Sequence, residues 1–278
     1  QTTLGHRLLL EEFGEAGVPT VAWQLDPFGH SATQAALLSA EAGMDSLFFG
    51  RVDYEELAVR RKQQRTEFVW RASPSLGADA QVFTSLTGEF TGSYCWPAGF
   101  NFNDDGEPVE TNPALESYNQ PARVEAFVRS VLAQANLTRG SHVMWTMGCD
   151  FNFENAERIY AAMDKLIAAV NADGRVHARY SSPAEYVEAK RSEPTTQWSL
   201  MNGSDFFPYA DVPHAYWTGY FTSRPALKGY ARRASAYLNA ARQLQLLSAV
   251  GLASPPAAHR PADVTELSPL DEALGVAQ

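Results

Sequence analysis

The sequence is short of cysteine, short of positive charge and without a long apolar run. Two cysteines in 278 residues, Cys95 and Cys149, cannot build a disulfide framework. They allow one bridge at most, and spacing alone does not test its geometry. Lys and Arg number 22 against 32 Asp and Glu, a formal charge of −10 spread along the chain. Nucleic-acid affinity needs clustered cations facing phosphates, so that class is excluded. The one basic cluster, Arg60-Arg61-Lys62 with Arg65, falls in a polar helical stretch and reads as a solvated face. No apolar run approaches the roughly 20 residues that span a bilayer, and the N-terminus lacks a signal-peptide pattern. Because the sequence opens on Gln1 and reads at once as helix, its N-terminus is expected to be truncated or processed.

What is present is a core. The chain is 45% hydrophobic and 12% aromatic, enough for one large domain with a smaller one beside it. Apolar runs at Val18–Leu25, Ser46–Gly50, Gln81–Thr87, His142–Met147 and Val176–Ser181 read as strands. Helical spacing follows at Thr33–Ala42, at 124, 127, 128, 131, 132 and 135, and from Ile159 to Val170 with Gly174 as a stop. Ser182-Pro183-Ala184-Glu185 has the form of a capping box with proline at the first helical position. This alternation predicts an α/β fold with mostly parallel strands, an irregular β/α barrel spanning residues 1–222. From about residue 223 the pattern turns wholly helical, with a long helix between Pro225 and Leu252 and a short one from Leu267 to Ala277. Residues 223–278 are therefore read as the start of a helical-bundle domain.

In α/β sheets and barrels, chemistry gathers where strands end. Asp26 follows Val21-Ala22-Trp23-Gln24-Leu25, Asp150 follows the run ending at Met147, and Asp205 follows Gln197–Met201. Each has aromatic neighbours: Trp23 and Phe28, Phe151 and Phe153, Phe206 and Phe207. Carboxylates beside aromatic faces suit a sugar, whose flat apolar side stacks while its hydroxyls seek acceptors. Two such acids are also the minimum equipment of a retaining glycosidase. Taken singly, each acid reads better as a helix N-cap. His30 reads as a hydrogen-bonded structural histidine rather than a metal ligand, and Cys149 as a small packed thiol.

The run Trp23-Gln24-Leu25-Asp26-Pro27-Phe28-Gly29-His30-Ser31 resembles the signature of glycoside hydrolase family 38, the class II α-mannosidases, especially their lysosomal and vacuolar branch. Further blocks agree in order: Leu4–Arg7, Phe48–Tyr54, Phe68–Arg71, Met147–Phe151, Asp205–Asp211 and Tyr216–Pro225. The resemblance covers the chain to about residue 240. It implies a retaining, zinc-assisted hydrolysis of terminal α-mannose from mannose-containing oligosaccharides in a lysosome or vacuole. By that resemblance Asp26 is the nucleophile and a zinc ligand, and Asp150 the general acid/base. Arg51 contacts the nucleophile, and Phe28 and Trp217 wall the sugar subsite. Phe151, beside Asp150, is expected to help it keep its proton by desolvation.

The sequence also departs from the family. The metal site takes a His-x-Asp pair and a histidine of a His-His-Asp motif, and this sequence contains neither. Asp26 is left as the one expected zinc ligand, and residues 1–278 by themselves are expected to be inactive. Lysosomal members pair two cysteines at short range near Cys95, but position 100 is Phe here. The sequons Asn136-Leu137-Thr138 and Asn202-Gly203-Ser204 matter only in a secretory compartment. Rival readings are a non-catalytic sugar-binding fragment and a metal-dependent polysaccharide deacetylase, the second leaving the Trp217–Pro225 block without a purpose.

Overall fold

The computed structural model describes residues 1–87, 94–103, 106–193, 196–251 and 269–277. It is a mixed α/β structure around one five-stranded sheet, ordered β1-β2-β4-β3-β5. The strands are β1 (Val21–Gln24), β2 (Ser46–Phe49), β3 (Glu67–Arg71), β4 (Gln81–Leu86) and β5 (Ser199–Asn202). Three of the four pairings are parallel, and β3 runs antiparallel to β4. The helices are α1 (Thr2–Phe13), α2 (Ala32–Ala36, prolonged by a wider turn over Leu37–Glu41), α3 (Tyr54–Lys62), α4 (Gln120–Ala135), α5 (Ala156–Asp173), α6 (Pro183–Arg191), α7 (Pro225–Ala249) and α8 (Pro269–Ala277). By compactness the chain divides into Thr2–Trp217 and a second unit, Gln1 with Thr218–Gln278.

Strand β2 is buried at all four positions. A strand covered on both faces needs an unbroken apolar run, which Leu47-Phe48-Phe49 supplies. Leu47 and Phe49 enter a core with Phe68, Trp70 and Phe206, while Phe48 faces Tyr186 and Val187 of α6. The Phe206 ring lies 5.1 Å from both Phe49 and Trp70, edge-on to each. A separate core joins α4 and α5 through Val124, Val128, Ile159, Leu166 and Val170, with Phe100 and Phe102. Gly174 ends α5 in a left-handed conformation, φ 81°, and the capping box of Ser182 and Glu185 opens α6 with both reciprocal hydrogen bonds made.

Two segments expected as strands are not. In 142–147 and 176–181 side chains take the place of a neighbouring backbone. Gln134 Nε2 donates to the Met144 carbonyl at 3.3 Å, and Lys190 Nζ to that of His142 at 2.9 Å. Asn171 brackets Ala178, accepting from its N–H at 2.7 Å and donating to its carbonyl at 2.9 Å. Backbone groups need partners, and here side-chain amides and an ammonium supply some of them. Lys190 and Glu67 form an ion pair at 3.1 Å with side chains only 1% and 2% exposed, and the Tyr186 hydroxyl also donates to Glu67. Burial pushes the Glu67 carboxyl up, against the pull of Lys190. Arg60 also departs from expectation: its side chain packs over Phe68 and Phe206, with the guanidinium carbon 4.4 Å and 4.9 Å from the ring centres. Among the described residues no helix is long and apolar enough to cross a membrane.

In the second unit, Pro225 opens α7, and Arg242 of α7 pairs with Asp271 of α8. Tyr230, Tyr237, Leu244 and Leu246 are exposed along α7.

Candidate active site

Register places the first two functional side chains. β1 and β2 are parallel with Gln24 opposite Phe49, so Asp26 and Arg51 each lie two residues past a paired position, on the same edge. There the Arg51 Nε–H donates to Asp26 Oδ1 in a close ion pair. The arginine side chain is 19% exposed and the aspartate 51%, so the carboxylate faces solvent while the cation is enclosed. Burial works against the guanidinium's charge, but hydrogen bonds to Asp26 and to the Tyr209 hydroxyl (3.1 Å) outweigh it and raise its pKa. Gly50 makes the approach feasible: a Cβ there would meet the Leu25 carbonyl oxygen and Tyr94 Cβ, both at 3.1 Å.

Four aromatic rings surround Arg51. Its guanidinium carbon lies 4.6 Å from the Trp217 ring centre, 5.3 Å from Phe28, 5.5 Å from Tyr94 and 5.6 Å from Tyr209. Phe28 and Trp217 meet edge-on at 5.0 Å, and Trp217 Nε1 donates to Asp211 Oδ1 at 3.1 Å. A backbone bond from Trp217 N to the Tyr209 carbonyl closes the 209–217 loop and brings both rings to one place.

Asp150 is reached through Tyr94, whose hydroxyl donates to Asp150 Oδ1 at 3.2 Å. Burial and then the charges of Asp26 and Asp150 raise the Tyr94 pKa, while Arg51 opposes them, so this phenol stays a donor. Cys95 and Cys149, next in sequence to Tyr94 and Asp150, are joined in a disulfide. Cys149 is therefore half of a crosslink and not a packed thiol.

Three other expectations change. Phe151 is 99% exposed at φ 59° and gives Asp150 no apolar cover. Phe153 turns instead to Trp96 and Tyr160, with ring centres at 5.9 Å and 5.5 Å. Asp205 caps no helix of its own: its Oδ1 accepts from the Ala32 N–H at 2.5 Å, serving the start of α2. His30 is buried and stacked on Phe49 at 4.1 Å, yet its Nε2 has no hydrogen-bond partner among the described residues. Burial lowers its pKa to about 4.

Sequence reasoning missed Tyr94 and Tyr209. A signal for Tyr94 existed. Pairing Cys95 with Cys149 brings Tyr94 beside Asp150 by adjacency alone. Tyr209 lay inside the 205–211 block without a role.

Residues 1–212 match the glycosyl hydrolases family 38 N-terminal domain. The chain belongs to glycoside hydrolase family 38. An α-mannosidase of Arabidopsis thaliana is 51% identical over 249 residues, 89% of this chain and 24% of that protein. Lysosomal α-mannosidases of Cavia porcellus and Homo sapiens are 43% and 42% identical, each covering 100% of this chain and 27% of their own length. This family 38 chain thus spans about a quarter of the curated relatives it matches. The family is generally zinc-dependent, but among the described residues no three His, Cys, Asp or Glu side chains are grouped to hold a metal. Asp26, the carboxylate the resemblance assigns to the metal, is already paired with Arg51. The residues present do not by themselves fit a zinc ion.

Proposed function

We propose that this chain carries the two catalytic carboxylates of a retaining α-mannosidase acting on terminal α-mannose of oligosaccharides. One observation supports it above the rest. A solvent-facing carboxylate is paired with a ring-enclosed arginine, and a tyrosine leads from that arginine to a second carboxylate. In this reading Asp26 Oδ attacks the anomeric carbon as the bond to the leaving oxygen breaks, and Asp150 gives that oxygen its proton. Water then attacks the glycosyl–Asp26 ester, Asp150 takes the water's proton, and Asp26 departs as carboxylate. Arg51 supplies the positive charge that pairs with the Asp26 carboxylate. Phe28 and Trp217 offer the apolar wall on which a mannose face stacks.

Asp26 is the residue of this chain that would touch a family zinc ion, whose chemistry when bound would be to hold sugar hydroxyls. The sheet would form part of an irregular β/α barrel over residues 1–222, and the helices from 223 would begin a helical domain. Relatives named lysosomal favour a lysosome or vacuole as the compartment. The test is to express the full-length polypeptide and follow an aryl α-mannoside by proton NMR. α-Mannose should appear first, with residues 1–278 alone releasing none; β-mannose as the first product would refute the nucleophile role of Asp26.

A further inference from the structure

The segment carrying Asp150 lacks what fixes Asp26. No strand ladder runs through 142–153, and Asp150 is followed by two non-glycine residues in left-handed conformations, Phe151 (φ 59°) and Phe153 (φ 65°). Side chains rarely tolerate that region, so the backbone there does not hold its own shape. External ties hold it instead, and they converge on residues 94–96. Thr146 Oγ1 donates to the Tyr94 carbonyl at 2.6 Å, and Trp96 Nε1 donates to Asn152 Oδ1. Trp96 stacks on Phe153, and the Asn152 N–H bonds the Cys149 carbonyl at 3.2 Å. The covalent tie among them is the disulfide between Cys95 and Cys149, 54 residues apart and each next to one partner of the Tyr94–Asp150 hydrogen bond.

We propose that Cys95 and Cys149 are positioning residues, their disulfide fixing the Tyr94 hydroxyl on the Asp150 carboxyl and so the acid against its leaving group. This rests on the retaining-mannosidase reading. The crosslink adds no group to the reacting atoms. It removes the freedom of one loop to slide past another, and a displacement of about 1 Å at a proton donor can cost roughly 100-fold in rate. Reduction by a dithiol breaks the S–S bond, leaves two thiols and oxidises the reagent to its disulfide. Only the tie is lost.

Such a tie acts on protonation of the leaving group and not on sugar binding. In the zinc-loaded full-length enzyme, Cys95→Ser/Cys149→Ser should lower kcat at least about tenfold on alkyl mannosides, whose leaving groups need a proton. On 2,4-dinitrophenyl mannoside the loss in the single-turnover rate of forming the glycosyl–enzyme should stay within about threefold, since that leaving group needs no proton. Dithiothreitol-treated native enzyme should show the same split and recover on reoxidation, which covers a variant that fails to fold. Equal kcat values, or equal losses on the two substrates, would overturn the proposal. Peptide mapping without reduction and hydrogen exchange stand apart from activity. The peptides bearing Cys95 and Cys149 must run joined, and exchange across 142–155 must rise in the double variant while α5 stays protected. Separate peptides or unchanged exchange would overturn the proposal even in a protein that cleaves no mannoside. Absence of mannoside cleavage by native enzyme would overturn only the functional reading.

Discussion

Asp26 and Asp150 are held by different physics. Asp26 sits at the end of β1, which pairs with a strand buried on both faces, so its place follows from the sheet and the core beneath. Asp150 hangs on a segment tied by side chains and one disulfide. A sheet fixes position through many shared hydrogen bonds and is insensitive to any one of them. A tied loop depends on each tie. Mutations under Asp26 should therefore act on stability, and mutations around Asp150 on rate.

The largest effects lie in the acids themselves. In the full-length enzyme Asp26→Asn should cost roughly 10⁴-fold or more on every mannoside, because an amide cannot form the glycosyl ester. Asp150→Asn should cost about 10²–10⁴-fold on alkyl mannosides and much less on activated aryl ones in forming the glycosyl–enzyme. Steady-state and single-turnover rates on paired substrates check both. Next, Trp70→Ala, fully buried under the sheet, should destabilise by about 3–5 kcal/mol in a denaturant titration. Trp96→Ala should lower Tm far less while shifting the leaving-group dependence as loss of the disulfide does. Equal Tm losses would break the comparison.

Acid separates the halves again. Burial holds His30 neutral in the folded protein down to about pH 4, whereas an unfolded histidine takes up its proton near 6.5. Between those values the unfolded state binds more protons, so stability falls as pH drops from about 6.5 and levels off below about 4. The span corresponds to roughly 3 kcal/mol. His30→Phe, which keeps the stack on Phe49, should flatten that stretch of a Tm-against-pH curve. The smallest expected effect is Ser182→Ala, which removes half of the capping box on α6 and should cost about 1 kcal/mol in the same titration. Because α6 carries Lys190, which joins Glu67 of β3 to the His142 carbonyl, that change loosens the junction between the two halves.

The same contrast explains how far the sequence could be read. Val21–Gln24, Ser46–Phe49 and Gln81–Leu86 were legible as strands from short apolar runs, the clearest being Ser46–Phe49, which is buried on both faces. So were the helices of 120–135, 156–173 and 225–249. The same rule failed at 142–147 and 176–181. An apolar run does not say which groups answer its backbone, and in these part-exposed segments Gln134, Lys190 and Asn171 side chains bond the carbonyls of 144, 142 and 178. Asp205 shows the helix-cap reading in another form, since it serves the start of α2 and not a helix that follows it. Phe151 shows the limit of proximity in sequence. It adjoins Asp150, and a left-handed backbone turns its ring to water.

The four rings around Arg51 have one more consequence. A long arginine side chain ordinarily explores many rotamers, and fixing it costs about 2 kcal/mol of conformational entropy. With Phe28, Tyr94, Tyr209 and Trp217 closing on it, that freedom is surrendered when the chain folds, not when a sugar arrives. The cage makes the electrostatics around Asp26 a standing feature of the empty protein, so a ligand meets an arginine already at rest.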